Sequence, residues 1–420
     1  MMNDRRGKLH ALLSQLPPCA VLLLVTACAA PPLSRPTPPA TPVAVPAVKT
    51  VPSSTDPAPP AAPGSTSGAT FRAVSFSELP GWTLDNVQES WAALLASCVS
   101  LGTREPWSAT CASARRLGIP GTDVARLFFE QHFTPYQIAS SEGGSQGLIT
   151  GYYEPMLQGS RKPSAKYRHA VYGVPEDLIV VELADVHPEL RNVRVRGRIE
   201  GRKLMPYPDR AQIESGQAPR GREIVWVDDA IDLFFLQIQG SGRIVLDSGE
   251  TIRVGYADQN GRPYRSIGRV LVDRGDLPLE QASMQGIKAW ARRNPEQLND
   301  LLNSNPSYVF FRELPARLNG PLGALGVPLT AGRSIAIDPR HVPLGAPVFV
   351  ATTWPNSPKP LNRLMLAQDT GGAIRGAVRA DFFWGYGDAA GREAGRMKQA
   401  LRMWVLLPHG YPVPGGVAHQ

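Results

Sequence analysis

The sequence has few cysteines, no spacing typical of a metal site and no long apolar run. It contains 4 cysteines and 7 histidines in 420 residues, and the histidines do not stand at the spacings of metal ligands. We therefore predict that the protein uses no metal and no cofactor. Its most apolar run, near the N-terminus, is shorter than the roughly 20 residues that a membrane-spanning helix needs. Its glycine-rich turns lack the lysine of a P-loop, which argues against nucleotide binding of that kind.

Residues 1–27 have the features of an export signal. A basic start precedes the apolar run Val21–Val25, and small residues follow that run up to Cys28. Small residues before a cysteine resemble a bacterial lipobox, which predicts that Cys28 is lipidated. The alternative is an ordinary cleaved secretory signal, and either interpretation predicts export. Ala29, in place of an aspartate that would favour the inner membrane, predicts anchoring at the periplasmic face of the outer membrane.

A proline-rich segment follows the predicted anchor. Residues 31–63 contain 12 prolines, which predicts a semi-extended tether over residues 28–69. About 350 residues remain, enough for two domains. The net charge of +8 favours an anionic partner, and export argues against nucleic acid as that partner.

Two cysteines remain besides the predicted lipidation site and the signal. Cys98 and Cys111 would form an even pair in an oxidising compartment, which is compatible with a disulfide. A buried free thiol at Cys98 is the other interpretation, and the sequence does not decide between them.

Short β-rich segments dominate the rest of the chain. They predict strands at residues 148–153, 178–181, 193–195, 234–238, 243–246, 252–254, 334–337, 348–350, 364–367 and 403–406. Apolar periodicity predicts helices from Asn86, from Thr122, around Met284 to Trp290, from Asn294 and over Gly391 to Ala400. The inward face of the second helix would hold Val124, Leu127 and Phe128. This pattern predicts a mostly β protein built of barrels with peripheral helices.

The second of two aspartates in the segment QDTGGAIRGAVRADFFWGYG is the first candidate for catalysis. Asp381 is followed by Phe382, Phe383 and Trp384. Aromatic neighbours remove water from a carboxyl group and raise its pKa, and their rings offer flat faces to sugars. We therefore predict acid catalysis on a sugar by Asp381, with Phe383 and Trp384 as candidate sugar contacts.

Two further aspartates also end strand-like runs. Asp369 precedes Thr370, Gly371 and Gly372, whose amides could bind its carboxylate, so either functional support or a purely structural role is open. Asp338 precedes a proline, which favours a turn-forming role.

Polar side chains near two other runs could complete a sugar-binding cleft. Tyr152 could stack on a sugar, and Glu154 could be a second carboxylate, although a surface acid ending a strand is the favoured interpretation. Gln237 and Gln239 would share one strand face, where their amides could bind sugar hydroxyls or simply face solvent. Ser145 fits the G-x-S-x-G pattern, but no strand precedes it, and we interpret the segment as a loop.

Several sequence blocks together carry a family resemblance. Among them are GLITGYYEP, WVDDAIDLFFLQIQGSGRIVL, SIAIDPRHVPLG and AQDTGGAIRGAVRADFFWGYG, in order over residues 145–408. They resemble the membrane-bound lytic murein transglycosylase A family with its three-aspartate (3D) domain. The tether lies outside the resemblance, and residues 70–140 match only loosely.

The resemblance implies an architecture and a set of domains. A double-psi β-barrel catalytic domain would comprise residues 70–154 and 305–410, a second β-barrel domain would be inserted at 155–304, and residues 411–420 would form a tail. The substrate groove would run between the two barrels.

The resemblance also implies a reaction. The β-1,4 bond between N-acetylmuramic acid and N-acetylglucosamine in peptidoglycan would be cleaved without water, leaving 1,6-anhydromuramic ends. Asp381 falls on the family's single acid and base, Asp369 and Asp338 on its other two aspartates, and Thr150 would lie in the groove. Glycan strands would be the substrate, the membrane would be contacted through the lipid anchor, and complexes for wall synthesis or division would be candidate partners.

Two other functions stay open at this point. A water-using glycosidase would pair Asp381 with Glu154 or Asp369 and leave reducing ends. A non-catalytic peptidoglycan-binding module of the expansin kind would bind the wall without releasing fragments.

Overall fold

The computed structural model describes residues 68–190, 194–217, 222–316 and 318–413. The predicted signal, the lipidation site Cys28 and nearly all of the predicted tether lie outside the described residues. Most of the predicted tail lies outside them as well.

The strands within the described residues are mostly short. They are β1 Thr70–Ala73, β2 Phe133–Ala139, β3 Gly147–Glu154, β4 Met156–Ser160, β5 His169–Tyr172, β6 Ile179–Glu182, β7 Arg194–Glu200, β8 Lys203–Pro206, β9 Glu223–Val227, β10 Ser241–Leu246, β11 Thr251–Gln259, β12 Val309–Leu314, β13 Ser334–Ile337, β14 Pro347–Thr353, β15 Pro360–Thr370, β16 Arg379–Tyr386 and β17 Lys398–Pro408. All the predicted strands except the one at 234–238 overlap one of these, so the mostly β class is confirmed.

The helices are short and lie between the strands. They are α1 Trp91–Leu101, α2 Trp107–Leu117, α3 Thr122–His132, α4 Arg210–Gln212, α5 Ala230–Gln239, α6 Ile267–Arg274, α7 Met284–Arg293, α8 Leu298–Asn303 and α9 Gly387–Arg396. Single 3-10 turns occupy Phe76–Glu78, Trp82–Leu84, Val87–Ser90, Pro188–Leu190, Leu279–Gln281 and Pro295–Gln297, and a π-helical turn occupies Ile213–Gln217. Within the ranges that the structure describes, no helix has the length and apolarity to cross a membrane.

Six strands close into a barrel. The large sheet runs in the order β1-β2-β17-β14-β15-β13-β16-β3, and β17 pairs with β3 as well. The strands β17, β14, β15, β13, β16 and β3 therefore form a closed ring. Two of its pairings, β13 with β15 and β16 with β3, are parallel. Closure matters because it leaves those six strands without a free edge and fixes their register.

One apolar core joins the barrel to the first three helices. It includes Ile149 and Phe382 from the barrel and Trp91 and Phe129 from the helices, each at most 2% exposed. The Trp91 ring meets Phe128 edge-on, with centroids 4.9 Å apart. Burial of such large rings stabilises the domain by about 1.5–3 kcal/mol per side chain, which holds the barrel strands in place.

A second sheet lies between β3 and β13 in the chain. Its strands run in the order β12-β11-β10-β4-β9-β5, and a bridge between Gly173 and Phe311 brings its two edges together. Helices α5 to α8 form an apolar cluster of their own, with Phe234, Trp290 and Leu301 at most 4% exposed. The strands β6, β7 and β8 make a separate antiparallel sheet.

The strand predicted at 234–238 is wrong, because these residues lie in α5. Asp229 caps the helix by accepting a hydrogen bond from the Ile231 amide at 2.8 Å, and Gly240 ends it with a left-handed φ of 77°. The run is buried on nearly all sides, so its sequence lacks the polar stripe of an amphipathic helix. As a consequence Gln237 and Gln239 cannot share one face.

The helix predicted from Thr122 is present as α3 but with a different inward face, and the helix predicted over Gly391 to Ala400 has different bounds. In α3, Val124 and Leu127 are 48% and 50% exposed, while Ala125, Phe128 and Phe129 are buried. Helix α9 covers 387–396 rather than 391–400, because Lys398 already pairs with Thr150 in the barrel. Sheet pairing therefore overrides the helical preference of this segment.

The cysteine pair is bonded in the structure. Cys98 Sγ is joined to Cys111 Sγ, which links α1 to α2 across a sequence separation of 13 residues. Both side chains are buried in the barrel core, at 1% and 0% exposure.

We expect loss of this bond to lower stability. Closing a loop of this size constrains the unfolded chain by about 3 kcal/mol. The Cys98→Ala/Cys111→Ala double variant should therefore lose about that much free energy of unfolding in urea titration. Wild type titrated under reducing conditions is the matched comparison, and a loss below about 1 kcal/mol in both would contradict the expectation.

Candidate active site

A row of side chains crosses four neighbouring barrel strands. Asp369 on β15 is opposite Ala336 on β13, Ala336 is opposite Asp381 on β16, and Asp381 is opposite Thr150 on β3. Opposed residues of paired strands point to the same face. Ile149, the neighbour of Thr150, belongs to the apolar core that the barrel shares with the first three helices, so the row points to the opposite face of these strands. The methyl group of Ala336 separates two acids whose Cα atoms are about 10 Å apart, two strand spacings.

Asp381 is an acid with one oxygen already engaged. Thr150 Oγ1 donates a hydrogen bond of 2.6 Å to Asp381 Oδ1. Burial raises the pKa of Asp381 to about 6, and the negative charge of Asp369 adds to this rise. The hydrogen bond from Thr150 and the cation of Arg379 act in the opposite direction. Asp381 can therefore hold a proton in weakly acidic solution and release it close to neutral pH.

Asp369 is held by three donors. Tyr152 Oη donates to Oδ2 at 3.0 Å, and the amides of Ala324 and Thr370 each donate to Oδ1 at 2.9 Å. Burial raises the pKa of Asp369 to about 6 as well, against the effect of those hydrogen bonds. The sequence suggested amides from residues 370–372, but of these only the Thr370 amide is bonded to Asp369. Gly371 and Gly372 lie in the loop after β15.

An aromatic cluster underlies the two acids. Tyr152 and Phe383 are 8% and 2% exposed, with ring centroids 5.2 Å apart, and pack with Leu329, Ala336 and Ile374. Burial and the two nearby carboxylates raise the pKa of Tyr152 well above its usual value, so its hydroxyl remains a donor. Trp384 instead packs on Phe382 at 4.6 Å, and its Nε1 donates to Met397 Sδ. Phe383 and Tyr152 thus desolvate the acids and expose little ring surface.

Asp338 lies apart from the row and is fully buried. It accepts hydrogen bonds from Arg340 and, at 2.9 Å, from the amide of Gly376. Burial raises its pKa, but these hydrogen bonds outweigh burial and hold the pKa at about 2. An ionised Asp338 therefore fastens the loop between Asp369 and Asp381, which is more than the predicted local turn.

Glu154 is not the surface acid that the sequence suggested. Its side chain is 1% exposed and receives Arg253 Nη2 at 3.2 Å and Arg243 Nε at 3.3 Å. The two arginines come from β10 and β11. A strand end followed by proline does not indicate burial, so this ion-pair cluster could not be predicted from the sequence.

The two predicted glutamines have different surroundings. Gln237 is 4% exposed and accepts a hydrogen bond from Arg210 Nη2 at 2.5 Å. Gln239 accepts one from the backbone amide of Tyr153 at 3.0 Å. Neither side chain belongs to the row of acids.

Arg379 is the site residue that sequence reasoning undervalued. We did not single it out from the sequence, yet its Nη2 donates to Thr150 Oγ1 at 2.9 Å. Its position two residues before Asp381 on a strand was the available signal, since residues i and i+2 share a face. Among the residues that the structure describes, no group of three or more His, Cys, Asp or Glu side chains is placed to hold a metal ion.

Fold and site together define a class. A closed barrel that presents a desolvated carboxyl group with a pKa near neutrality, bonded by a hydroxyl and flanked by a second acid, is the arrangement of a general acid–base enzyme. Residues 148–312 match the MltA specific insert domain, and residues 333–407 match the 3D domain. The chain belongs to the membrane-bound lytic murein transglycosylase A family.

Known relatives agree in sequence and in structure. Membrane-bound lytic murein transglycosylase A of Escherichia coli (strain K12) is 31% identical over 278 residues, which cover 64% of this chain and 68% of that protein. The monoclinic crystal structure of MltA from Neisseria gonorrhoeae is 42% identical with a TM-score of 0.73, covering 83% of this chain and 95% of that one. E. coli MltA with bound chitohexaose shares the fold, with a TM-score of 0.60 at 24% identity over 80% of this chain and 94% of that one.

Proposed function

We propose that this protein is a lytic murein transglycosylase that cleaves the β-1,4 bond between N-acetylmuramic acid and N-acetylglucosamine with Asp381 as acid and then base. The observation that carries the single-acid mechanism is the state of the other carboxylates. The carboxylate of Asp369 accepts hydrogen bonds from three donors, and that of Glu154 forms ion pairs with two arginines. Neither is free to activate a water molecule, as a hydrolase with two carboxylates requires.

The reaction proceeds in two steps at one carboxyl group. Protonated Asp381 donates its proton to the glycosidic oxygen while the bond from that oxygen to muramic C1 breaks, and the bonding electrons leave with N-acetylglucosamine. The positive charge that develops at C1 and the ring oxygen lies beside the new carboxylate.

The same sugar then supplies the nucleophile. Its C6 hydroxyl attacks C1, the new C6–O–C1 bond closes the 1,6-anhydro ring, and the hydroxyl proton returns to Asp381. An intramolecular nucleophile has an effective concentration of about 10⁵ M or more when it is well oriented, so water is not needed. Atoms balance without a second reactant.

Asp369 supports this chemistry through charge. Its carboxylate raises the pKa of Asp381 and keeps that group protonated at higher pH. Tyr152 fixes the position of Asp369. We propose that Asp338 also supports the reaction, but through the loop between the two acids, which it holds by a hydrogen bond from the Gly376 amide.

We assign the substrate to a groove between a double-psi barrel of residues 70–154 and 305–410 and the inserted domain of residues 155–304. The pairing pattern of the closed barrel, with two parallel pairs, supports the double-psi assignment. The Escherichia coli relative with bound chitohexaose supports a glycan ligand. We propose substrate contacts for Thr150, Tyr152, Gly371, Gly372 and Trp384. We also propose them for Gln237, Gln239 and Phe383, although the two glutamines are bonded to other protein groups and Phe383 is buried.

Outside the described residues, we propose lipidation of Cys28 and a tether that lets an enzyme on the periplasmic face of the outer membrane reach the wall. The names of the relatives, which include "membrane-bound", support a membrane association. Complexes for wall synthesis or division are proposed partners.

The test is digestion of purified sacculi by protein that starts at residue 29, with mass spectrometry of the soluble products. Anhydromuropeptides are the expected result. Reducing-end products would favour the glycosidase, and sacculus binding without release would favour the binding module.

The pH dependence gives a separate prediction for Asp369. Because its negative charge raises the pKa of Asp381, Asp369→Asn should lower that pKa. Protonated Asp381 is required, so kcat/KM of the variant should begin to fall at a lower pH than the wild-type value of about 6. Initial rates measured from about pH 4 to pH 8 test this.

The matched control is Asp273→Asn, which removes an exposed carboxylate on α6 that pairs with Arg269. Its profile should coincide with that of wild type. An unchanged or alkaline-shifted profile for Asp369→Asn would show that Asp369 does not raise the pKa of the acid.

A further inference from the structure

Arg379 lies next to the acid and is fixed by several contacts. It stands two residues before Asp381 on β16, and its Nη2 donates to Thr150 Oγ1 at 2.9 Å. Its Nη1 donates to the carbonyl oxygens of Ala380 and Leu148. The guanidinium therefore lies across the β16–β3 pair and is only partly exposed.

The contact with Arg379 determines the direction of the next hydrogen bond. A guanidinium can only donate, so Thr150 Oγ1 must accept from it. A threonine hydroxyl has a single hydrogen, which is otherwise free to rotate. With one of its two lone pairs bound by Arg379 Nη2, the Thr150 hydroxyl donates that hydrogen to Asp381 Oδ1, at an oxygen–oxygen distance of 2.6 Å.

We infer that Arg379 is a positioning residue that acts through the Thr150 hydroxyl to keep Asp381 Oδ1 occupied, so that Oδ2 delivers the proton to the glycosidic oxygen and recovers it from the C6 hydroxyl. This inference rests on the proposed function of Asp381. Among the hydrogen bonds of the described residues, Thr150 is the partner of Oδ1, and Oδ2 has no protein donor. The two hydrogen bonds from Arg379 to Thr150 and from Thr150 to Asp381, here called the relay, thus leave one oxygen of the acid bonded and the other open before substrate binds.

The relay also serves the second state of the acid. After the first proton transfer Asp381 is a carboxylate, and both the Thr150 hydrogen bond and the Arg379 cation favour that charged form. The other charged or titratable groups facing it are Asp369 on β15 and Tyr152 on β3. Lys398 on β17 is in register with Thr150 but exposed. Asp369 therefore raises the pKa of Asp381, and Arg379 lowers it.

Arg379→Met should change catalysis in three measurable ways. With soluble glycan strands as substrate, kcat should fall by about tenfold to a hundredfold while KM stays within about twofold of wild type. The alkaline limb of the kcat/KM profile should move to higher pH, opposite to Asp369→Asn, because a cation that lowers the pKa of the acid is lost. Arg379→Lys should show a smaller pH shift than Arg379→Met, because the ammonium keeps the positive charge. It should recover little of kcat, because the ammonium lacks the planar pair of donors of a guanidinium.

A double-variant comparison tests the route through the hydroxyl. In the Thr150→Val background, Arg379→Met should have little further effect on kcat, because the intermediate group is already missing. Arg293→Met, which removes an exposed arginine at the end of α7, should match wild type throughout. Full additivity of the two substitutions, or an unshifted pH profile for Arg379→Met, would overturn the inference.

The outcome is separable from that of the proposed function. Asp381→Asn assayed alongside should be inactive. If it retains wild-type activity, the proposed function itself is wrong. If it is inactive while Arg379→Met behaves like wild type, only the positioning function of Arg379 fails.

Discussion

Asp381→Asn should abolish release of anhydromuropeptides from sacculi, with a loss of about a hundredfold to ten-thousandfold in kcat. An amide has nearly the shape of the carboxyl group and can still accept the hydrogen bond from Thr150, but it cannot donate a proton to the glycosidic oxygen. The same group is needed as the base in the second step, so both halves of the reaction are affected. Initial rates of soluble product release measure the effect.

Loss of activity in this variant should come without loss of the fold. Burial raises the pKa of Asp381 to about 6 in the folded protein, above the ordinary value of 3.8. The folded state therefore binds the proton more tightly than the unfolded state, and stability falls as pH rises from about 4 to about 6. A neutral asparagine avoids this loss, so the melting temperature of Asp381→Asn at pH 7 should equal or exceed that of wild type. A variant that is inactive because it is unfolded would leave the chemistry of Asp381 unsupported.

Glu154→Ala should be the most destabilising single substitution among those considered. It removes the only acid bonded to Arg253 among the described residues and leaves Arg253 and Arg243, whose side chains are 9% and 21% exposed, without that carboxylate. Breaking a buried pair on one side costs about 3–5 kcal/mol because a buried charge loses its compensation. Urea titration should show the corresponding decrease in the free energy of unfolding.

A surface pair provides the matched control for this effect. Glu313 bonds Arg161 at 2.8 Å, but both side chains are 43% exposed. Glu313→Ala should cost less than about 1 kcal/mol, since solvent screens an exposed pair. Equal costs for the two substitutions would mean that burial of Glu154 contributes nothing to the stability of the fold.

The sequence was informative where local patterns decide the structure. Short β-rich segments predicted most strands, and an acid followed by aromatic residues predicted a desolvated carboxyl group at Asp381. That Asp381, Asp369 and Thr150 lie in one row depended on pairing between strands distant in the chain, above all that of Asp381 with Thr150, which no local pattern contains. Thr150 was identified by family resemblance and not by its own spacing.

The sequence failed where burial, and not periodicity, fixes the structure. Residues 230–239 are apolar on almost all sides, so their helical period was hidden and a strand was predicted. Glu154 was interpreted as a surface acid, because one sequence does not reveal that two arginines from other strands cover it. Arg379 was not singled out, because its contacts with β3 depend on strand pairing. The burial of charged residues was thus the feature that the sequence did not predict.

The central claim is that the bond is cleaved without water. Digestion of sacculi in water enriched in the heavy oxygen isotope, followed by mass spectrometry of the released muropeptides, tests it most directly. Cleavage without water predicts anhydromuropeptides that carry none of the heavy isotope at muramic C1, since the oxygen there comes from C6 of the same sugar. Incorporation of one heavy oxygen per cleaved bond would contradict it, because that oxygen could come only from hydrolysis.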